Sequence, residues 1–138
     1  MAVELDDEVR EKLKEPNFWH LATVNPDGSP HTSPVWVDVR DGRILINTAY
    51  PRKKPRNIDR EPRVSLSFHD SENPYANIQI QGRVVETITG EEAYRDIDAL
   101  AKKYLDRDTY PMHIDTEQRV TYLIEPTYVW HRPGRVQR

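Results

Sequence analysis

The sequence predicts a mainly β chain of about six antiparallel strands, with one N-terminal helix and one inserted helix, closed into a barrel or sandwich. Short runs of β-branched and aromatic residues alternate with polar ones and are separated by tight turn signals, Pro26-Asp27-Gly28-Ser29 and Asp41-Gly42 among them. Only one long stretch has helical spacing, and strands and helices do not alternate, which excludes a Rossmann-type sheet.

Leu5, Val9 and Leu13 recur every fourth residue behind Asp6 and Asp7, predicting a short amphipathic helix that Pro16 ends. Residues 19–25 form the first strand and 30–40 the second, where Pro34 demands an edge or a bulge. The third strand, 43–48, returns through Asp41-Gly42, so these three are antiparallel neighbours. A basic loop with one helical turn near 56–60 leads to a fourth strand. There Val64, Leu66 and Phe68 make one dry face. The polar connection 70–76 leads to strand 77–88, with Gly82 as a bulge. Thr89 and Glu92 read as a capping box for a helix that buries Ala93, Ile97, Leu100, Ala101 and Tyr104. Arg95, Asp96, Lys102 and Lys103 are expected to face outward. After a loop at 106–118, residues 119–125 form the last full strand and 128–131 a short extra one.

The bulk numbers set bounds. With 138 residues the chain is expected to be a single domain spanning 1–138. With 31% charged and 36% hydrophobic residues its core would be thin, which points to a homodimer. No apolar run approaches the roughly 20 residues of a membrane helix. The charged stretch 1–15 has no signal-peptide centre, and there is no cysteine, so the expected location is the cytoplasm. A net charge of −3 does not suit a general nucleic-acid binder.

Against that acidic background, residues 47–63 stand out. Arg52, Lys53, Lys54, Arg56, Arg60 and Arg63 face only Asp59 and Glu61 there. Pro51 and Pro55 stiffen the segment and Ile58 can dock it on the core, so its cations are held in place. Held cations beside a hydroxyl, Thr48, and an amide, Asn57, suit a phosphate.

Side-chain catalysis is not visible. His20, His31, His69, His113 and His131 form no metal-binding pair at short spacing, so no metal is expected. Ser33 sits in Thr-Ser-Pro and not in a nucleophile elbow, and no phosphate-binding glycine loop occurs. Trp19, Trp36 and Trp130 read as core aromatics, although a planar ligand would use one. No catalytic residue is expected, and a phosphate grip without a catalytic constellation suits a protein whose cofactor carries the chemistry.

Five segments in order carry a resemblance: Leu21-Ala22-Thr23-Val24 with Asp27-Gly28-Ser29-Pro30; Ser33-Pro34-Val35-Trp36-Val37-Asp38; Ile46-Asn47-Thr48-Ala49; Lys54-Pro55-Arg56-Asn57-Ile58; and Asp59-Arg60-Glu61-Pro62-Arg63-Val64-Ser65-Leu66. Together they resemble the flavin- and deazaflavin-binding split β-barrels related to pyridoxamine 5′-phosphate oxidase, and most of all the branch that uses coenzyme F-420. The resemblance implies a six-stranded antiparallel split barrel of Greek-key type, an FMN-binding split barrel in its flavin relatives. It also implies a cytoplasmic F-420-dependent oxidoreductase that transfers a hydride to a small unsaturated acceptor. An FMN flavoprotein and a non-catalytic F-420 or FMN carrier are the alternatives.

By the same resemblance Lys54, Arg56, Arg52 and Asn57 would hold the cofactor's phosphate. Asn47, Thr48 and Ala49 would line its ribityl side, and Ser33, Pro34 and Val35 would run along the ring edge. Two protomers would place the cofactor at their interface, with Tyr75 of one covering the cofactor of the other. The N-terminal helix and the 106–118 loop would shape the substrate pocket. The stretch Ile124-Glu125-Pro126-Thr127-Tyr128 lacks the C-terminal Arg-Leu-x-Pro signature of the vitamin B6 oxidases, which argues against that substrate. A small oligonucleotide-binding barrel, with Trp19, Trp36 and Tyr75 stacking bases, is a reading from another class.

Overall fold

The second expected strand, residues 30–40, is two strands, and that break organises the molecule. The computed structural model describes residues 2–132, so the expected domain bounds at 1 and 138 lie outside it. In chain order the elements are α1 (Asp7–Lys14), β1 (Trp19–Val24), β2 (Pro30–Val35), β3 (Asp38–Arg40), β4 (Arg43–Tyr50) and α2 (Lys53–Arg60). They continue with β5 (Arg63–His69), β6 (Asn77–Thr89), α3 (Glu91–Leu105) and β7 (Gln118–Arg132). The strands form one antiparallel sheet in the order β2-β1-β5-β6-β7-β4-β3, seven where six were expected.

Its two edges, β2 and β3, are consecutive in the chain and separated only by Trp36 and Val37. Two residues bridge no more than roughly 10 Å. The sheet must therefore curl until its edges meet, and covalent chain completes the barrel where no ladder does. The strand breaks because Val37 finds partners off the sheet: its N–H donates to Tyr104 Oη at 3.0 Å, and its carbonyl accepts from Lys103 Nζ at 2.6 Å. Pro34 sits on an edge strand, where its missing N–H is harmless.

The barrel interior is filled by Trp19, Leu21, Ile44, Ile46, Leu66 and Ile80 among others, with α1 adding Val9 and Leu13. Asp6 caps α1 by accepting from Val9 N at 2.9 Å. A second cluster lies outside the barrel, where Ile97, Leu100 and Ala101 of α3 pack on Leu45 and Leu123. At Gly82 the β6–β7 register shifts, as expected, and Pro126 lies opposite it; a second irregularity follows between Val84 and Glu86. β7 runs without interruption through 128–131, because the bulge absorbs Pro126.

Three expectations for α3 are corrected. Thr89 stays in β6, paired with Val120, so there is no capping box; Gly90, at φ 79°, starts the helix, and Glu92 meets Arg40. Asp96 is buried, because its carboxylate accepts from Arg40 at 2.5 Å and from Thr121 Oγ1 at 2.7 Å. Lys103 turns inward to the carbonyls of Leu13 and Val37, which closes the C-terminal end of α1.

Candidate functional site

The basic segment is a helix docked at one end of the barrel. After β4 the chain turns with Arg52 N bonded to Ala49 O at 3.0 Å, and α2 buries Pro55, Asn57 and Ile58. Asn57 Nδ2 donates to Thr23 Oγ1 at 3.0 Å and to Asn25 Oδ1 at 3.1 Å, tying the helix to β1. On the other side Asp59 accepts from Tyr50 Oη at 2.6 Å and Tyr122 Oη at 2.9 Å, tying it to β4 and β7. Burial and this carboxylate push both phenols above their ordinary range.

Charge is arranged against the ordinary preference of a helix. The first turn of α2 holds no acid, Arg52 supplies no side-chain cap, and Lys53, Lys54 and Arg56 crowd the positive end. Lys54 is half-buried and donates to Ser33 Oγ at 3.1 Å; among the described residues no carboxylate lies within 4.0 Å of it. Burial, and then the nearby Arg52 charge, hold its pKa below the usual lysine value. Arg52, in contrast, is paired, with Nε and Nη2 on the Glu117 carboxylate at 2.5 and 2.7 Å. A crevice of about 500 Å³ separates the Lys53, Arg56 and Arg60 side of α2 from the turn at Pro26 and Asp27.

The expected site residues divide into three groups. Ser33 and Lys54 touch; Thr48 is 2% exposed, and its buried Oγ1 has no partner among the described residues; Arg56 is exposed beside the crevice. Val35 shares the inner face of β2 with Ser33, whereas Pro34 points to the outer face. Others are engaged inside the protein. Asn47 faces α3, donating to Ala93 O and Thr121 Oγ1 and accepting from Arg119 Nε, each at 2.9 Å. Ala49 is fully buried, and Asn57 and Arg52 carry the bonds given above. Tyr75 is 57% exposed against the Arg132 guanidinium, near the end of β5 remote from α2. Six residue steps of strand are about 20 Å. Within one chain Tyr75 is therefore apart from the cations.

Two neighbours escaped the reading of the sequence. Glu117 comes from a loop 65 residues beyond Arg52, which no local pattern reveals. His31 alternates with Ser33 on β2, and that period-two signal was available.

Two neighbouring rows of the sheet's outer face hold no Lys, Arg, Asp or Glu, and the rows on either side carry Arg63 with Arg83 and Arg132. Register places Pro34, His20, Ser67, Gln79 and Trp130 in one row across β2, β1, β5, β6 and β7. Thr32, Ala22, Ser65, Gln81 and Tyr128 form the next. Trp130 is 39% and Tyr128 48% exposed.

The family model for pyridoxamine 5′-phosphate oxidase matches residues 5–132. The chain belongs to that family. A pyridoxine/pyridoxamine 5′-phosphate oxidase from Methylibium petroleiphilum is 38% identical over 94 residues, which are 65% of this chain and 43% of the relative. This member thus spans less than half of that relative's length. Among solved structures, an F420 reductase superposes with a TM-score of 0.79 at 27% identity, covering 91% of this chain and 98% of that one. A conserved hypothetical protein from Mycobacterium tuberculosis gives a TM-score of 0.70 at 24% identity, covering 94% and 86%, and bears on the fold alone. The antiparallel split barrel is that of the pyridoxamine 5′-phosphate oxidase family, an oxidoreductase-like family whose fold binds flavins and deazaflavins. No helix among the described residues is long and apolar enough to cross a membrane.

Proposed function

We propose that this protein is an F-420-dependent oxidoreductase acting on a small unsaturated organic molecule. The carrying observation is Lys54: a half-buried ammonium with no carboxylate partner among the described residues, beside Ser33 and at the positive end of α2. An anion there would supply the missing helix cap and offset the unfavourable burial of the lysine. Lys54 and Ser33 would hold the cofactor's phosphate, with Arg56 and Lys53 bordering the crevice for further acidic groups. Thr48, a buried hydroxyl with no partner among the described residues, and Val35 complete the fit on the barrel side. When bound, the deazaflavin supplies hydride transfer at C5. The chain's own residues bind and orient, and none is assigned a catalytic role.

The likeness to the F420 reductase, which spans 98% of that chain, supports F-420 over FMN. The curated oxidase names favour FMN, and the same phosphate grip would serve it.

The reading includes a homodimer. The two uncharged rows across five strands offer a face about 19 Å wide with two exposed aromatics. Packing barrel to barrel through it would bring a partner's Tyr75 toward the cofactor. Titration of the purified protein with F-420 and with FMN, followed by fluorescence, tests the reading. Micromolar or tighter F-420 binding with FMN ignored is the expected result. A protein that is yellow as isolated and ignores F-420 would replace it with the FMN reading.

A further inference from the structure

Arg63 on β5 and Arg83 on β6 are cross-strand partners on the outer face of the sheet. Val84 N donates to Pro62 O at 2.9 Å, which makes that pair the hydrogen-bonded kind. The next pair, Arg63 with Arg83, is then the close kind, with Cα atoms about 4.5 Å apart. Like charges directly opposite one another weaken a sheet. Solvent screens part of the repulsion, since the Arg63 side chain is 73% exposed. One carboxylate is at hand. Glu61 takes Arg63 in two bonds, from Nε at 3.1 Å and Nη2 at 2.8 Å. Those bonds first, and the Arg83 charge last, hold its carboxyl down to about 2. Arg83 itself has no hydrogen bond from its side chain and no carboxylate within 4.0 Å among the described residues. Glu125, its neighbour in register on β7, lines a different crevice beside the N-terminal segment.

The two arginines border a crevice of about 400 Å³, within the range of small-molecule sites. Ala22, Val24 and Pro30 give it an apolar wall, and Ser65 and Gln81 add neutral polar side chains. The β1–β2 turn separates it from the cationic crevice beside α2: Val24 and Pro30 line this one, Pro26 and Asp27 that one. Two cations against one carboxylate leave one positive charge unmatched. A single carboxylate would balance it and can meet a guanidinium through two parallel bonds. An inorganic anion would leave the apolar wall in water, whereas an apolar body attached to the carboxylate would cover it.

We propose that this crevice is a binding site for small organic monocarboxylates, with the carboxylate on Arg83 and the apolar body against Ala22, Val24 and Pro30. It stands on other residues than the phosphate reading, so either can fail without the other. Two barrels packed through the uncharged rows, one of which supplies Ala22, Ser65 and Gln81, would lay the crevice along their seam. A carboxylate of the partner is then the competing occupant.

Cinnamate is the probe, with acetate as the control for the apolar body and cinnamamide as the control for the charge. Nuclear magnetic resonance of the full chain at neutral pH follows the backbone amides of residues 22–24, 63–65 and 81–83. Cinnamate should shift them saturably, and acetate and cinnamamide should each bind at least about tenfold more weakly. Arg83→Gln, a change at an exposed position, should weaken cinnamate by about tenfold and leave cinnamamide unchanged. Crevice amides that do not move, equal binding of either control, or an unchanged cinnamate affinity in Arg83→Gln overturns the proposal. So does a wild-type dimer that ignores cinnamate while Arg83→Gln sediments as a monomer, because the arginine then serves the partner. Shifts of the α2 amides on adding F-420 or FMN, read from the same protein, decide the phosphate reading separately.

Discussion

Lys54 Nζ reaches Ser33 Oγ at 3.1 Å and meets no carboxylate among the described residues within 4.0 Å, although burial works against its charge. A cation kept in an unfavourable place, on a helix pinned from both sides, is the central relationship of the proposed site.

Replacing it should separate binding from stability. Lys54→Met keeps the apolar stem and removes the charge, and it should weaken F-420 or FMN by about 1.5–3 kcal/mol. The ligand-free protein should melt at the same temperature or higher, because a poorly compensated ammonium is gone. Fluorescence titration and thermal melting measure the two effects. Unchanged affinity would remove Lys54 from the site.

The barrel face can be tested independently. Trp130→Glu places a charge at the β7 end of an uncharged row, beside Gln79. Sedimentation should show the wild type as a dimer and the variant shifted toward monomer, with its circular dichroism retained. A wild-type monomer at all concentrations would remove the two-barrel arrangement.

Gly82 tests the bulge. A Cβ there would stand 2.6 Å from Ile124 Cγ2 and 2.8 Å from the Glu125 carbonyl oxygen. The carbonyl belongs to the facing strand and cannot swing away, so Gly82→Ala should destabilise the fold by about 1–3 kcal/mol in urea titration.

Alkaline stability should report on Tyr104. Its hydroxyl donates to Asn17 O at 2.6 Å and accepts from Val37 N at 3.0 Å, and burial pushes its pKa up to about 12. An unfolded tyrosine ionises near about pH 10. The contribution is therefore fully present below that pH and is lost as pH rises toward 12. Urea midpoints measured from pH 9 to 11 should fall for the wild type and fall less steeply for Tyr104→Phe. Equal slopes would show that Tyr104 ionises as freely as in the unfolded chain.

Much of this architecture could be read locally. Alternation at Val64, Leu66 and Phe68 and the turn at Asp41-Gly42 depend on neighbours one or two residues away. Gly82 announced its bulge for the same reason. The break at Trp36 and Val37 could not be read so, because it depends on Lys103 and Tyr104, more than 60 residues further on. Asp96 and Lys103 look like surface residues by helical spacing. They are drawn inward by Arg40 and by two backbone carbonyls from other elements.

The site shows the same division. A stiff, cationic segment after the third expected strand is a property of residues 51–56 alone, because proline geometry and charge do not depend on distant contacts. Which of its polar groups remain free is a property of the folded chain. Arg52 is claimed by Glu117, Asn57 by Thr23 and Asn25, and Asn47 by α3, while Lys54 is left to Ser33. Composition and period determine where charge and strands occur. Only the curling of the sheet decides which partners arrive, since hydrogen bonds and desolvation act over a few ångströms between residues that the sequence holds far apart.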